Sequence, residues 1–430
     1  MIDHTLPDGL RVFLDPVRDV RSVALGIYVK GGSADEAPER LGATHFLEHL
    51  LFKRTRRRTG QAIARMTDLL GGECDAYTTK ECVVFHIRTT ANRLDAALAL
   101  LLDLTEAPAF TAEDVETERG VILEEMAEAA DVPEDRLQDD LIRALWPKHP
   151  LGAPILGTKE TVSSLTRTQL AERFREIFVP SRMAFVASGA LDPDAFLALL
   201  GKERARRGAA RARPARAPLA PRRMAPRAKR CEVNLVRPGL TQSHLLLATP
   251  GFGYAEALVP AASVVTTVLG GGVSSRLWRE VREKNGLAYH VGAGLTLHRD
   301  GGLCVIEAAT SPENLGKLVK RIAATVRKAC SEGITAAELA RAKGQITSEI
   351  ALSLESTVSR REAAARGWLY RDRPYDPDEY LAQIAAVTRA DAQEALERLF
   401  GRNATLGLGV AGPDPFGLDM TALAEELAAA

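Results

Sequence analysis

His45, Glu48 and His49 stand in the order His-x-x-Glu-His. The surrounding residues, 44–52, contain no glycine or proline and read as a helix. At about 100° per residue, His49 falls about 40° from His45, and Glu48 about 60° to the other side, so the three side chains share one face. Two imidazoles aimed at one point suit zinc, which in catalytic sites takes three protein ligands and leaves a position for water. Glu48, one residue before the second histidine, is placed to accept that water's proton rather than to bind the metal. The competing reading is a pair of surface histidines on an amphipathic helix. It leaves a cluster on the core-facing side whose burial nothing compensates.

A third ligand is needed from elsewhere. Downstream, Glu118 and Glu125 lie seven residues apart in a helical stretch, hence on one face within about 20°, whereas Glu124 points away. Either could complete the site while the other supports a histidine or the water from outside the ligand set. Spacing alone leaves open which does which, and leaves open a plain exposed charged helix.

The elements that must position these residues occur twice. Thr111-Ala112-Glu113-Asp114 before Arg119-Gly120 recurs as Thr335-Ala336-Ala337-Glu338 before Lys343-Gly344, and Leu165-Thr166-Arg167 recurs as Val387-Thr388-Arg389. Short apolar strands follow each, at 183–186 and 404–407. We read an internal duplication: residues 1–201 form a catalytic domain, 202–230 a basic Ala/Arg/Pro-rich linker, and 231–430 a second domain. Within each half, alternating strands come first, as at 22–30 and 83–88, and long helices follow, as at 92–104 and 113–130. This order predicts an α+β class, each domain a mostly antiparallel sheet with helices packed on one face.

The run from Gly42 through His45, Glu48 and His49 to Lys53, with Glu125 seventy-six residues after His49, closely resembles the pitrilysin (M16) family of zinc peptidases, whose reversed His-x-x-Glu-His order is its signature. The resemblance implies a LuxS/MPP-like metallohydrolase fold in a two-domain bacterial-type member. It also implies one Zn²⁺ per chain on His45, His49 and Glu125, with Glu48 as general base and Glu118 as a supporting acid. Residues 71–78 are similar to the edge strand on which family members align a peptide, which makes Asp75 and Ala76 candidate substrate contacts. Asp75 stands where many relatives have Asn.

The second half has no His-x-x-Glu-His, so its copy of the site is expected to be dead. Its Gly270-Gly271-Gly272 run lacks the Gly-Lys-Ser/Thr ending of a phosphate loop. Arg282 and Tyr289 match family residues that act on substrate, where a guanidinium and a hydroxyl are suited to hold a scissile carbonyl. The implied activity is endopeptidase cleavage of peptides or unfolded presequence-like segments in a closed chamber. A homodimer is expected, a heterodimer with an M16 paralogue being the other arrangement. Two rival classes are a noncatalytic scaffold of the same fold, partnering another peptidase subunit, and a module that binds nucleic acid or lipid through residues 202–230.

Composition excludes several classes. The 430 residues, 46% hydrophobic and 26% charged, are neither disordered nor collagen-like. No apolar run approaches the roughly 18 residues of a membrane helix, and the first residues show no export signal, so a cytoplasmic location is expected, with no membrane partner. Charge balances at 56 basic against 56 acidic residues, and the basic linker carries no aromatic for base stacking, so no nucleic-acid partner is expected. Residues 202–230 hold twelve of the basic residues and one acid. The remainder, 44 basic against 55 acidic, therefore has a net charge of −11, which favours basic or neutral peptides. Cys74, Cys82, Cys231, Cys304 and Cys330 include no Cys-x-x-Cys pair and are expected to be reduced.

Overall fold

The computed structural model describes residues 1–207 and 225–413. They fall into two compact units. The first takes its residues from Met1–Ala127, Ala153–Pro221 and Leu352–Asp376, the second from Glu128–Gly152, Arg222–Ala351 and Pro377–Ala430.

The first half of the chain runs β1 (Ile2–Thr5), β2 (Arg11–Pro16), β3 (Ser22–Lys30), α1 (Ala43–Lys53), α2 (Gly60–Leu70), β4 (Glu73–Thr78), β5 (Cys82–Thr90), α3 (Leu94–Glu106), α4 (Ala112–Asp131) and α5 (Pro133–Leu145). It continues with α6 (Lys159–Ser164), α7 (Arg167–Ile177), β6 (Met183–Gly189) and α8 (Pro193–Arg206). The sheet order is β1-β2-β6-β3-β5-β4, antiparallel except for β2 beside β6. β4 is therefore an edge strand, with one row of backbone groups unpaired by the sheet.

The second half repeats the plan: β7 (Cys231–Val236), β8 (Ser243–Pro250), α9 (Val259–Gly270), β9 (His290–Leu297), β10 (Gly302–Thr310), α10 (Leu315–Glu332), α11 (Ala336–Ser353), α12 (Thr357–Arg371), α13 (Pro377–Ala386), α14 (Arg389–Phe400) and β11 (Gly407–Gly412). Its order, β7-β11-β8-β10-β9, matches β2-β6-β3-β5-β4. The duplication extends to side chains. Thr166 and Thr388 cap α7 and α14 through matching capping boxes. Arg54 grips Asp114 at the start of α4 as Arg276 grips Glu338 at the start of α11.

Each sheet buries one face under its own main layer of helices. In the first unit Val23, Leu25, Phe85, Ile87 and Phe185 meet Phe46, Leu50, Leu98 and Leu101 from α1 and α3. Among the described residues, each unit also holds one helix on the opposite face, and it comes from the other half of the sequence. α12 lays Ala364, Ala365 and Trp368 against Tyr28, Val84 and Val186 of the first sheet. α5 packs on β11, where a Cβ at Gly407 or Gly409 would lie 3.2 or 3.0 Å from Leu141 and Leu137. The compact units thus exchange one helix each, and sequence halves do not coincide with them.

Other details depart from the sequence reading. The linker begins later than residue 202. Lys202 to Arg206 complete α8, because Arg204 pairs with Asp8 and Glu106, and Arg207 with Asp103 and Glu203, pinning this end of the helix to the first unit. Residues 208–224 of the segment lie outside the described residues. The strand expected at 404–407 forms instead at Gly407–Gly412, beside β7 and β8. Among the described residues, no helix is long and apolar enough to cross a membrane.

Candidate metal centre

α1 begins where Gly42 takes φ 89°, a left-handed conformation that suits glycine; a Cβ there would also meet Leu156 O at 2.6 Å. The helix has no capping side chain of its own. Its first N–H groups are instead satisfied by Glu36, whose carboxylate accepts from the backbone N–H of Gly42 at 2.7 Å and of Thr44 at 2.5 Å. Burial raises the proton affinity of Glu36, and the hydrogen bonds from Thr44 oppose it. Arg173 binds both the Thr44 hydroxyl (3.1 Å) and Gly32 O (3.0 Å), tying the helix start to the loop after β3. Phe46, Leu47, Leu50 and Leu51 bury the opposite side of α1, which leaves His45, Glu48 and His49 facing α4 and β4.

The structure brings the two histidines and Glu125 together. His45 Nε2 lies 3.6 Å from Glu125 Oε1, and His49 Nε2 lies 3.4 Å from Glu125 Oε2. A tetrahedral zinc with bonds of about 2.0–2.1 Å separates its ligand atoms by about 3.3 Å, so this spacing fits the ion. Glu125 Oε2 is buried and accepts no hydrogen bond, which is the condition a cation would relieve. One donor atom from each of His45, His49 and Glu125 lies within 4.8 Å of the others, and among the described residues this is the only such cluster of metal-binding side chains. Burial holds the His45 imidazole below its ordinary proton affinity, so it is a neutral donor. For His49, burial works against the charged form, but contact with Glu125 and the charges of Glu48 and Glu118 outweigh it and lift its pKa. The same contact with His49 draws Glu125 below the usual carboxylate range.

The two acids that spacing left equivalent take different places. Glu118, 2% exposed, does not reach the cluster of metal-binding atoms; its Oε2 faces His49 Nδ1 at 3.3 Å. Its other oxygen, Oε1, pairs with Lys53 Nζ at 2.7 Å. Lys53, one turn beyond His49, was not singled out in the sequence, although the same i,i+4 spacing that joins the histidines places it.

Glu48 stands beside the histidines, and burial raises its pKa. Thr78, the last residue of β4, donates its hydroxyl to Glu48 Oε2 at 2.5 Å. On the same strand Asp75 turns its carboxylate back to the N–H of Ala76 at 2.8 Å. That N–H is held by a side chain and not by β5, which places Ala76 with its donor toward the open edge.

Arg282 and Tyr289 belong to the second unit, where they meet each other. The guanidinium lies 4.2 Å from both the Trp278 and Tyr289 ring centroids and donates to Tyr289 O at 2.9 Å. Tyr289 is 79% exposed. Trp278 is half-buried beneath Arg282, whereas Trp146 and Trp368 are buried. α9, the counterpart of α1, carries neither histidine nor carboxylate.

Comparison with known proteins agrees with this architecture. Residues 12–159 match the family "Insulinase (Peptidase family M16)", and residues 164–346 match "Peptidase M16 inactive domain". An uncharacterized zinc protease of Mycobacterium tuberculosis is 38% identical over 95% of this chain and 92% of its own length. The uncharacterized zinc protease YmxG of Bacillus subtilis is 31% identical over 94% of this chain and 97% of its own length. Among solved structures, a protease from Helicobacter pylori superposes with a TM-score of 0.87 at 20% identity, covering 96% of this chain and 99% of that one, which establishes likeness of fold. The chain belongs to peptidase family M16, and it has the two-domain form.

Proposed function

We propose that this protein is a zinc-dependent endopeptidase acting on peptides or unfolded segments. The observation that carries the reading is the convergence of His45 Nε2, His49 Nε2 and the Glu125 carboxylate at zinc-ligand spacing, with Glu48 beside them. Zinc held by those three side chains would supply Lewis acidity, polarising the scissile carbonyl and acidifying water.

The chain's own residues do the remaining work. Glu118 accepts from His49 Nδ1–H, which fixes the tautomer that leaves Nε2 free to ligate. Glu48 takes a proton from the attacking water and returns it to the departing amine, so one carboxylate serves as base and then acid. Its raised pKa suits both duties, because a fully depressed carboxylate would be a poor proton donor. The open edge of β4, with the Ala76 N–H toward it, offers a template for an extended peptide. Arg282 and Tyr289 are chemically fitted to hold the carbonyl oxygen, the exposed phenol donating and the stacked guanidinium adding charge. A homodimer remains our expectation for the assembled enzyme.

Removal of metal by a chelator should abolish cleavage of a mixed peptide library, and one equivalent of zinc per chain should restore it. Cleavage that persists after exhaustive chelation would refute the assignment.

A further inference from the structure

We propose that Thr78 is a positioning residue for Glu48: its hydroxyl fixes the orientation of the carboxylate and ties the aim of the base to the edge strand on which a peptide would lie. The inference rests on Glu48 being the general base.

Three observations lead to it. First, among the described residues the Thr78 hydroxyl is the single hydrogen-bond partner of the Glu48 carboxylate. A glutamate has three side-chain torsions, and the last is broad, so a carboxylate with no partner samples many orientations. One bond to Oε2 selects among them and leaves Oε1 available for proton transfer. Second, Thr78 is itself held. It closes β4 opposite Val83 of β5, and the chain then turns through Thr79, whose N–H bonds Cys82 O at 2.8 Å. Third, its neighbour Tyr77 is anchored on the other face of the sheet. Tyr77 donates to Glu362 Oε2 at 2.7 Å, and Glu362 is paired with Arg361. Arg361 is 1% exposed and fixed by Tyr28 Oη at 3.0 Å and Leu25 O at 3.2 Å. The end of β4 is thus pinned from both faces, one residue to each side, and the base is fastened to that point.

This arrangement also gives α12 a part in the site. It comes from the second half of the sequence, yet its Glu362 holds the strand that holds the base. A hydroxyl contact is well suited to this task, since it orients the carboxylate without adding a charge that would bind it permanently.

The test uses the full chain with Thr78→Val, which keeps the shape and removes the hydroxyl, and Thr78→Ser, which keeps the hydroxyl. Cleavage of one fluorogenic peptide, zinc per chain and melting temperature are measured for both, with Glu48→Gln as control. The Glu48 carboxyl ¹³C resonance of the metal-free proteins, identified by its loss in Glu48→Gln, is followed in parallel. Thr78→Val should lose on the order of tenfold to a hundredfold in kcat with KM, zinc content and melting temperature unchanged, as misorientation of a reacting group does. Its Glu48 resonance should move, and Thr78→Ser should recover both rate and resonance. Wild-type kcat or an unmoved resonance in Thr78→Val overturns the proposal, as does a Thr78→Ser protein as slow as Thr78→Val, or a loss traced to zinc or folding. If the wild type cleaves without zinc, or Glu48→Gln cleaves normally, the reading of the site falls as well. If those controls behave and only Thr78→Val is unimpaired, the role of Thr78 alone is lost.

Discussion

Glu118 Oε2 lies 3.3 Å from Nδ1 of His49, the ring nitrogen that points away from Glu125. The two carboxylates on α4 thus divide one imidazole between them, Glu125 facing the nitrogen that would ligate and Glu118 the nitrogen that would carry the proton. Glu118→Ala should therefore weaken zinc binding by about tenfold to a hundredfold without moving any ligand. Competition against a chromophoric zinc chelator reads this directly. Unchanged affinity would mean that Glu118 serves the fold only.

Glu48 and His49 are adjacent in sequence and should separate cleanly in function. Glu48→Gln should retain one zinc per chain and lose turnover, because the amide cannot accept the proton. His49→Ala should lose the zinc itself. Metal analysis alongside single-turnover cleavage distinguishes the two, and a Glu48→Gln protein that cleaves at the normal rate would remove Glu48 from its role.

Zinc affinity should depend on pH mainly through His49. Protons compete for its nitrogens with an affinity raised above the ordinary imidazole range, while buried His45 stays neutral well below it. As pH falls, affinity should start to decline above the pH at which an exposed histidine titrates, and the first phase should involve a single proton. Isothermal titration in buffers of different ionisation enthalpy counts that proton.

In the second unit, hydrogen bonding to Arg276 holds Glu338 down to about 2. A depressed carboxylate adds stability that is fully present above its unfolded pKa and lost as pH falls through the folded one. The window is therefore from about 4.3 down to about 2, and partial solvent access leaves about 1–2 kcal/mol of the effect. Arg276→Gln should flatten this part of the acid denaturation curve, measured by circular dichroism. The same acid dependence in wild type and variant would contradict the assignment.

Gly42→Ala should destabilise the first unit by about 1–3 kcal/mol, since it combines an unfavourable φ with a contact against the Leu156 carbonyl at the start of α1. Calorimetry should show a lowered transition. Zinc should restore part of the loss, because ligand binding favours the folded helix.

Much of the site was legible in the residues alone. The i,i+3,i+4 arrangement of His45, Glu48 and His49 follows from helical periodicity, which is local, and α1 forms at Ala43–Lys53 as that periodicity predicts. The strands at 22–30 and 83–88 and the helices at 92–104 and 113–130 were equally readable, because period-two and period-3.6 patterns are properties of short windows. The duplication was legible because equivalent turns and caps, such as Thr166 and Thr388, keep the same residue types in both halves.

The tertiary structure decided the questions that no window contains. Glu118 and Glu125 are equivalent by spacing, and only the height at which α4 crosses α1 makes one face the two Nε2 atoms and the other face Nδ1. The contact of Thr78 with Glu48 joins residues thirty apart on a strand and a helix, a meeting set by how the sheet edge packs under α1. Which sheet receives α5 and which receives α12 is likewise absent from their own patterns, since an apolar stripe shows that a helix must be covered but not by what. Local sequence thus determined the elements and the shared face of His45, Glu48 and His49 on one helix, whereas long-range packing chose the partners that each of those side chains meets.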